Sequence, residues 1–155
     1  MIRRLMVITA SVAVLAFSST TFAGGAAEEA KAMLTKAVAA VKADKAKALD
    51  EFNKGEGGFL ESDLYVFCAQ ATDGKVLAVY NPNAKQFIGT DIRVQKDPTG
   101  KPYGEEFFAA AQKTEGQFTE VRYMFPKPGA DRTPVPKVTL VTRVNDLGCG
   151  VGYYP

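Results

Sequence analysis

The chain has 155 residues, 19 Lys and Arg against 17 Asp and Glu, two cysteines and no histidine. The lack of histidine excludes Ser-His-Asp and Cys-His catalysis, an imidazole general base and His-ligated zinc. The near balance of charge lacks the basic excess of a nucleic-acid surface, and the length suits one domain with one core.

The first element is a leader. Arg3 and Arg4 precede an apolar run over 5–17, followed by Ser18-Ser19-Thr20-Thr21-Phe22-Ala23. Small residues at Thr21 and Ala23 suit a signal peptidase, and the 13-residue run is short of the ~20 that span a bilayer. Residues 1–23 therefore read as a signal peptide cleaved after Ala23, leaving one periplasmic domain, 24–155, with no stable membrane anchor; the alternative is an uncleaved anchor. Cleavage removes two arginines and brings Lys and Arg down to 17, equal to the acids.

Residues 28–53 read as helix, with Leu34, Val38, Val41, Leu49 and Phe52 near helical spacing on an Ala/Lys/Glu background. Asp44 is a candidate break, because Asp prefers caps to interiors. Gly55 ends the pattern. A strand at Leu64–Gln70, the turn Thr72-Asp73-Gly74 and a strand at 75–80 form a hairpin, closed by Asn81-Pro82-Asn83. A long connection leads to a second helix at 103–114. Three strands follow at 117–125, 137–145 and 148–154, the first two separated by a Pro-rich loop at 126–136. This order fits an α+β fold, a five-stranded antiparallel sheet with the long helix on one face. The other face, under the connection, is left to hold a cavity.

Strand parity places Gly148, Gly150 and Gly152 on one face of the last strand and Cys149, Val151 and Tyr153 on the other. Alternate glycines leave a bare groove, filled by a closely packed helix or by a small ligand. Tyr65 and Phe67 share a face, as do Tyr123 and Phe125, and Lys137 and Thr139. Aromatic walls with a cation and a hydroxyl suit a small carboxylate; the plain alternative is core aromatics and solvated edge lysines. Cys68 and Cys149 pair if their strands are neighbours, and are otherwise buried thiols; export leads to an oxidising space. A bond between them closes a loop worth about 4–5 kcal/mol in the chain-entropy model.

Two cysteines are too few for a Cys-rich metal site. The Gly148–Gly152 alternation opens no helix, so it is not a phosphate loop, and Asp73-Gly74 lacks the acidic ligands of a calcium loop. The residues require no cofactor and point to no enzyme.

Several segments, in order, resemble single Cache domains of the second type. They are Gly57-Gly58-Phe59 with Asp63-Leu64-Tyr65-Val66-Phe67, then Asp73-Gly74-Lys75-Val76-Leu77-Ala78 with Asn81-Pro82. Next come Gly89 and Asp97-Pro98-Thr99-Gly100-Lys101-Pro102-Tyr103, then Val121-Arg122-Tyr123-Met124-Phe125-Pro126. Pro136-Lys137-Val138-Thr139 and Cys149-Gly150-Val151-Gly152-Tyr153-Tyr154 complete the set. The resemblance implies a PAS-like extracellular sensor fold that binds small molecules, often short organic acids, and serves chemoreceptors and histidine kinases. It implies pocket roles for Tyr65, Tyr123, Phe125 and Lys137. The chain differs from the family where Phe125 replaces a frequent Trp and Leu140 a frequent Tyr. The expected function is a free-standing sensor domain that takes a small organic acid and works through a membrane receptor or kinase. The alternative is a protein-interaction module without a small ligand. A thiol-redox protein is the weakest reading, since no Cys-x-x-Cys is present.

Overall fold

The computed structural model describes residues 25–155; the expected leader and its cleavage point lie outside the described residues. Helix α1 spans Ala26–Ala43 and buries Ala30, Met33, Leu34, Ala37 and Val41, one stripe at helical spacing. It stops at Asp44, whose extended backbone (φ −157°) leaves the helix while its Oδ1 accepts from the Lys47 N–H at 3.0 Å. That cap starts α2, Lys45–Lys54, so the long helix is broken where the sequence offers a capping residue. Gly55 ends α2 in the left-handed conformation (φ 70°) that favours glycine.

A two-residue strand β1, Leu60–Glu61, leads into β2, Leu64–Gln70, and β3 follows at Val76–Val79. After the connection come α3, Tyr103–Ala110, then β4, Thr119–Pro126, β5, Pro134–Val144, and β6, Leu147–Tyr153. All pairings are antiparallel. Strand β2 takes β6 on one edge and β3 on the other, β6 pairs β5, and β5 pairs β4. The short β1 pairs with the start of β2. The α+β sheet is as expected, with β1 as a sixth strand too short to show as a pattern. Strand β5 begins three residues early, inside the Pro-rich stretch. There Pro134 and Pro136 pair with β4 alone, because β6 joins only at Val138, so the missing N–H groups leave no neighbour unsatisfied. Helix α3 ends at Ala110, short of Thr114.

The sheet separates two apolar layers. On one face α1 and α2 bury Val66, Cys68, Leu140, Val144, Cys149 and Val151. Phe52 is fully buried there, a side chain worth about 1.5–3 kcal/mol in transfer. Cys68 and Cys149 are direct cross-strand partners, Cα atoms 4.1 Å apart, and are joined by a disulfide that closes an 81-residue separation. On the other face Tyr65, Phe67, Val121, Tyr123 and Val141 meet α3 and the connection. No helix among the described residues is long and apolar enough to cross a membrane.

Candidate functional site

A cavity of about 50 Å³ lies between the second face of the sheet and its cover. One water needs roughly 10–15 Å³ by this measure, so the space holds roughly three to five non-hydrogen atoms. From the sheet it is walled by Tyr65 and Phe67 of β2, Tyr123 and Phe125 of β4, and Val76 and Val79 of β3. The two valines are three apart, a spacing that strict alternation would send to opposite faces. An irregularity in the β2–β3 ladder between Cys68 and Ala69 turns both inward. The connection supplies Ala84, Phe87, Ile92 and Gln95, and α3 supplies Tyr103 and Phe107. Tyr103 stacks on Tyr123 with ring centroids 4.3 Å apart, and Phe107 meets both rings edge-on at 5.3 Å. These offset and edge contacts hold the aromatic wall in one arrangement.

A polar tier stands behind this wall. Lys137 does not line the cavity; its Nζ donates to the Tyr65 hydroxyl at 2.6 Å and lies 4.3–5.2 Å from the ring centres of Tyr65, Tyr154 and Phe125. Burial brings the amine down to about 7 from its ordinary 10.5, against the weaker opposing pull of Asp63. Asp63 is itself paired with Lys127 at 2.9 Å. The Asn81 amide also donates to Tyr65 Oη, at 3.1 Å, and to the Pro126 carbonyl, while its Oδ1 accepts from the Asn83 N–H. A protonated lysine and an amide both donate to the Tyr65 oxygen, and the Tyr154 hydroxyl is a further hydrogen-bonding neighbour of the same group. Burial raises the Tyr65 and Tyr123 hydroxyls well above their ordinary range, so both stay protonated donors. Thr139 is likewise behind the wall, its hydroxyl 3.1 Å from that of Tyr123.

The glycine face of β6 is not an open groove. A Cβ on Gly150 would sit 2.6 Å from the Phe67 ring, one on Gly152 would meet Lys137 and Thr139, and one on Gly148 would meet Ala111 at the end of α3. Phe67 and Thr139 are the direct cross-strand partners of Gly150 and Gly152. A helix end therefore fills one position, and neighbouring strands fill the other two. The expectation of a helix or a ligand along the whole groove is corrected on that ground. The cavity lies beyond Phe67, under the connection.

Sequence reasoning named four of the wall residues, Tyr65, Phe67, Tyr123 and Phe125, and missed the cover. Tyr103 and Phe107 were findable, four apart on one face of α3. The connection has no period to reveal Phe87, Ile92 or Gln95, which sit on or beside 3₁₀ turns at Lys85–Phe87 and Ile92–Val94. Asn81, fully buried, reads in sequence only as a turn residue. Asp97 fixes the connection to the sheet: its carboxylate accepts from Thr99 N, Thr99 Oγ1 and Lys101 N, and from Met124 N of β4. Burial pushes this carboxyl up, but the four hydrogen bonds outweigh it and bring it to about 2. Outside the cavity, across Phe87, Tyr103 and Phe125, is a wider vestibule of about 220 Å³ bordered by exposed Lys96 and Arg132.

A long helix pair on one face of an antiparallel sheet and a small cavity under a loop-and-helix cover on the other describe a PAS-like sensor domain. The chain belongs to the family described as Single Cache domain 2, whose profile matches residues 17–154. Among solved structures it is similar to a methyl-accepting chemotaxis protein from Vibrio parahaemolyticus RIMD 2210633, with TM-score 0.64 and 22% identity over 83% of this chain and 87% of that one. It is also similar to the periplasmic sensor domain of a chemotaxis protein, with TM-score 0.60 and 24% identity over 82% and 88% of the two chains. A third is a Cache chemosensory domain described for carboxylic acid recognition, with TM-score 0.58 and 24% identity over 82% and 86%. No curated protein matches the chain significantly. Of the two departures from the family, Phe125 touches the cavity, whereas Leu140 packs in the helix-side core.

Proposed function

We propose that this chain is exported behind a cleaved leader, residues 1–23, and acts in the periplasm as a Cache-type sensor domain. It binds a short organic acid and conveys occupancy to a membrane receptor or kinase. The observation that carries this reading is the aromatic cavity of about 50 Å³ with a buried lysine one hydrogen bond behind its wall. The volume favours acids of two or three carbons, with the alkyl part against Phe67, Phe107 and the valines. The carboxylate would take the Tyr65 hydroxyl, which Lys137 and Asn81 orient as a donor. The likeness to a Cache domain that recognises carboxylic acids supports the same ligand class.

A thermal-shift panel of short organic acids and amino acids at millimolar concentration tests this, because a ligand of the folded state raises apparent stability. Acetate or propionate is expected to raise the melting temperature, and benzoate, too large for the cavity, is not. A panel without any stabilising acid contradicts the reading. One observation favours a second reading, an interaction module without a small ligand: the protein's own side chains fill the glycine face and leave only a small cavity. That reading requires the flat response.

A further inference from the structure

Four polar side chains lie on the cavity wall: Tyr65, Gln95, Tyr103 and Tyr123. The hydroxyls of Tyr65 and Tyr123 are engaged by Lys137, Asn81 and Thr139. The Gln95 amide and the Tyr103 hydroxyl make no hydrogen bond among the described residues, although the two residues are only 7% and 4% exposed. An interior amide without a partner is costly, and native structures leave few of them unexplained. Among the described residues Thr142 Oγ1 is the one fully enclosed side-chain polar atom without a partner. The polar atoms of Gln95 and Tyr103 are therefore not sealed in protein, and both residues line the cavity.

The backbone fixes this pair. The Gln95 N–H donates to the Ile92 carbonyl at 3.0 Å, closing the 3₁₀ turn, and its own carbonyl accepts from the Gly104 N–H at 3.2 Å. A Cβ on Gly104 would overlap the Ile92 carbonyl oxygen. Glycine there lets α3 sit directly on the turn, which brings Tyr103 and Gln95 to the same stretch of wall. Two residues further on, the four hydrogen bonds of Asp97 anchor the segment. The backbone carrying both groups is set before any ligand arrives, and the Tyr103 ring is held by its stack on Tyr123.

We infer that Gln95, assisted by the Tyr103 hydroxyl, is the specificity-determining group of the cavity: it donates to an oxygen of a small monocarboxylate. Lys137 acts from behind through Tyr65 and does not touch the ligand. This inference rests on the reading that the cavity takes a short acid, and adds which residue selects it. A carboxylate accepts and cannot donate, so the amide presents its NH₂ edge; a neutral primary amide would accept from the same edge and donate to an acceptor placed there.

Calorimetric titration of the purified protein with propionate and with propionamide tests it on wild type, Gln95→Leu and Gln95→Glu. Wild type is expected to prefer propionate. Gln95→Leu is expected to bind propionate about tenfold or more weakly, without a lower melting temperature in the absence of ligand, since it removes an unpaired amide. Gln95→Glu opposes the ligand with a like charge and supplies an acceptor, so its preference is expected to reverse towards propionamide. A loss smaller than about fivefold in Gln95→Leu overturns the inference, and so does an unchanged preference in Gln95→Glu. If Gln95→Leu does not fold, the preference of Gln95→Glu decides. A wild type that binds neither probe, nor any acid of the panel, removes the sensor reading and this inference together; equal binding by wild type and Gln95→Leu removes the inference alone.

Discussion

Lys137 is an amine 3% exposed to solvent, with no carboxylate at ion-pair distance among the described residues and three aromatic rings around it. Cation–π contacts and one short hydrogen bond offset only part of its lost hydration, which is why its folded pKa lies near 7 while the unfolded value is about 10.5. Between those values the unfolded chain holds more protons than the folded one. Stability should therefore rise with pH from about 7 to about 9, by up to about 1.4 kcal/mol per unit, before the buried tyrosines, held above their ordinary 10, begin to oppose it. Urea unfolding at a series of pH values checks this, and Lys137→Met should flatten that limb and raise stability at pH 6. Acid binding should run the other way. An ammonium cannot accept, so it leaves the Tyr65 hydrogen to another acceptor, the Tyr154 oxygen or a bound carboxylate, and propionate affinity should weaken above pH 7 in wild type. In Lys137→Met it should be weaker at pH 6 and independent of pH over this range.

The elements show why part of the molecule was legible in sequence and part was not. Strand β2 matches its expected bounds because an apolar run is fenced by Asp63 and by Thr72-Asp73-Gly74. The break at Asp44 was equally open, a capping residue inside a helix former's composition. Half of the cavity is not legible, because its cover is a connection of 3₁₀ turns with no hydrophobic period. The valines of β3 share a face only through a ladder irregularity. The glycines of β6 were visible, but parity could not tell that Phe67 and Thr139 fill the space above them. That packing makes Gly150→Ala informative: its methyl, 2.6 Å from the Phe67 ring and 3.0 Å from the Leu140 carbonyl oxygen, should drive the ring into the cavity. The expected result is a loss of about 1–3 kcal/mol of stability, with propionate binding reduced more than acetate binding. In the connection, Asp97→Asn should cost about 1–3 kcal/mol, because an amide cannot accept at both oxygens from Thr99, Lys101 and Met124. Wild-type stability from this carboxylate is present above its unfolded pKa of 3.8 and lost as pH falls through about 2. Acid unfolding of the variant should lack that contribution.

At the scale of the whole molecule, one sheet is shared by a helix-side core and a cavity-side layer, and the Cys68–Cys149 bond ties its two central strands within the helix-side core. Replacing both cysteines by alanine should cost about 2–5 kcal/mol, read as a lower denaturant midpoint, while the cavity residues on the opposite face keep their ligand preference. The chain has no tryptophan and six tyrosines, three of which, Tyr65, Tyr103 and Tyr123, line the cavity. Near-ultraviolet circular dichroism therefore observes the site with its native residues. The most direct measurement is that tyrosine signal during titration with propionate, with benzoate as the oversized control. A saturable change with propionate and none with benzoate is predicted. A signal that stays flat with every short acid, or responds equally to benzoate, would contradict a small acid-binding cavity.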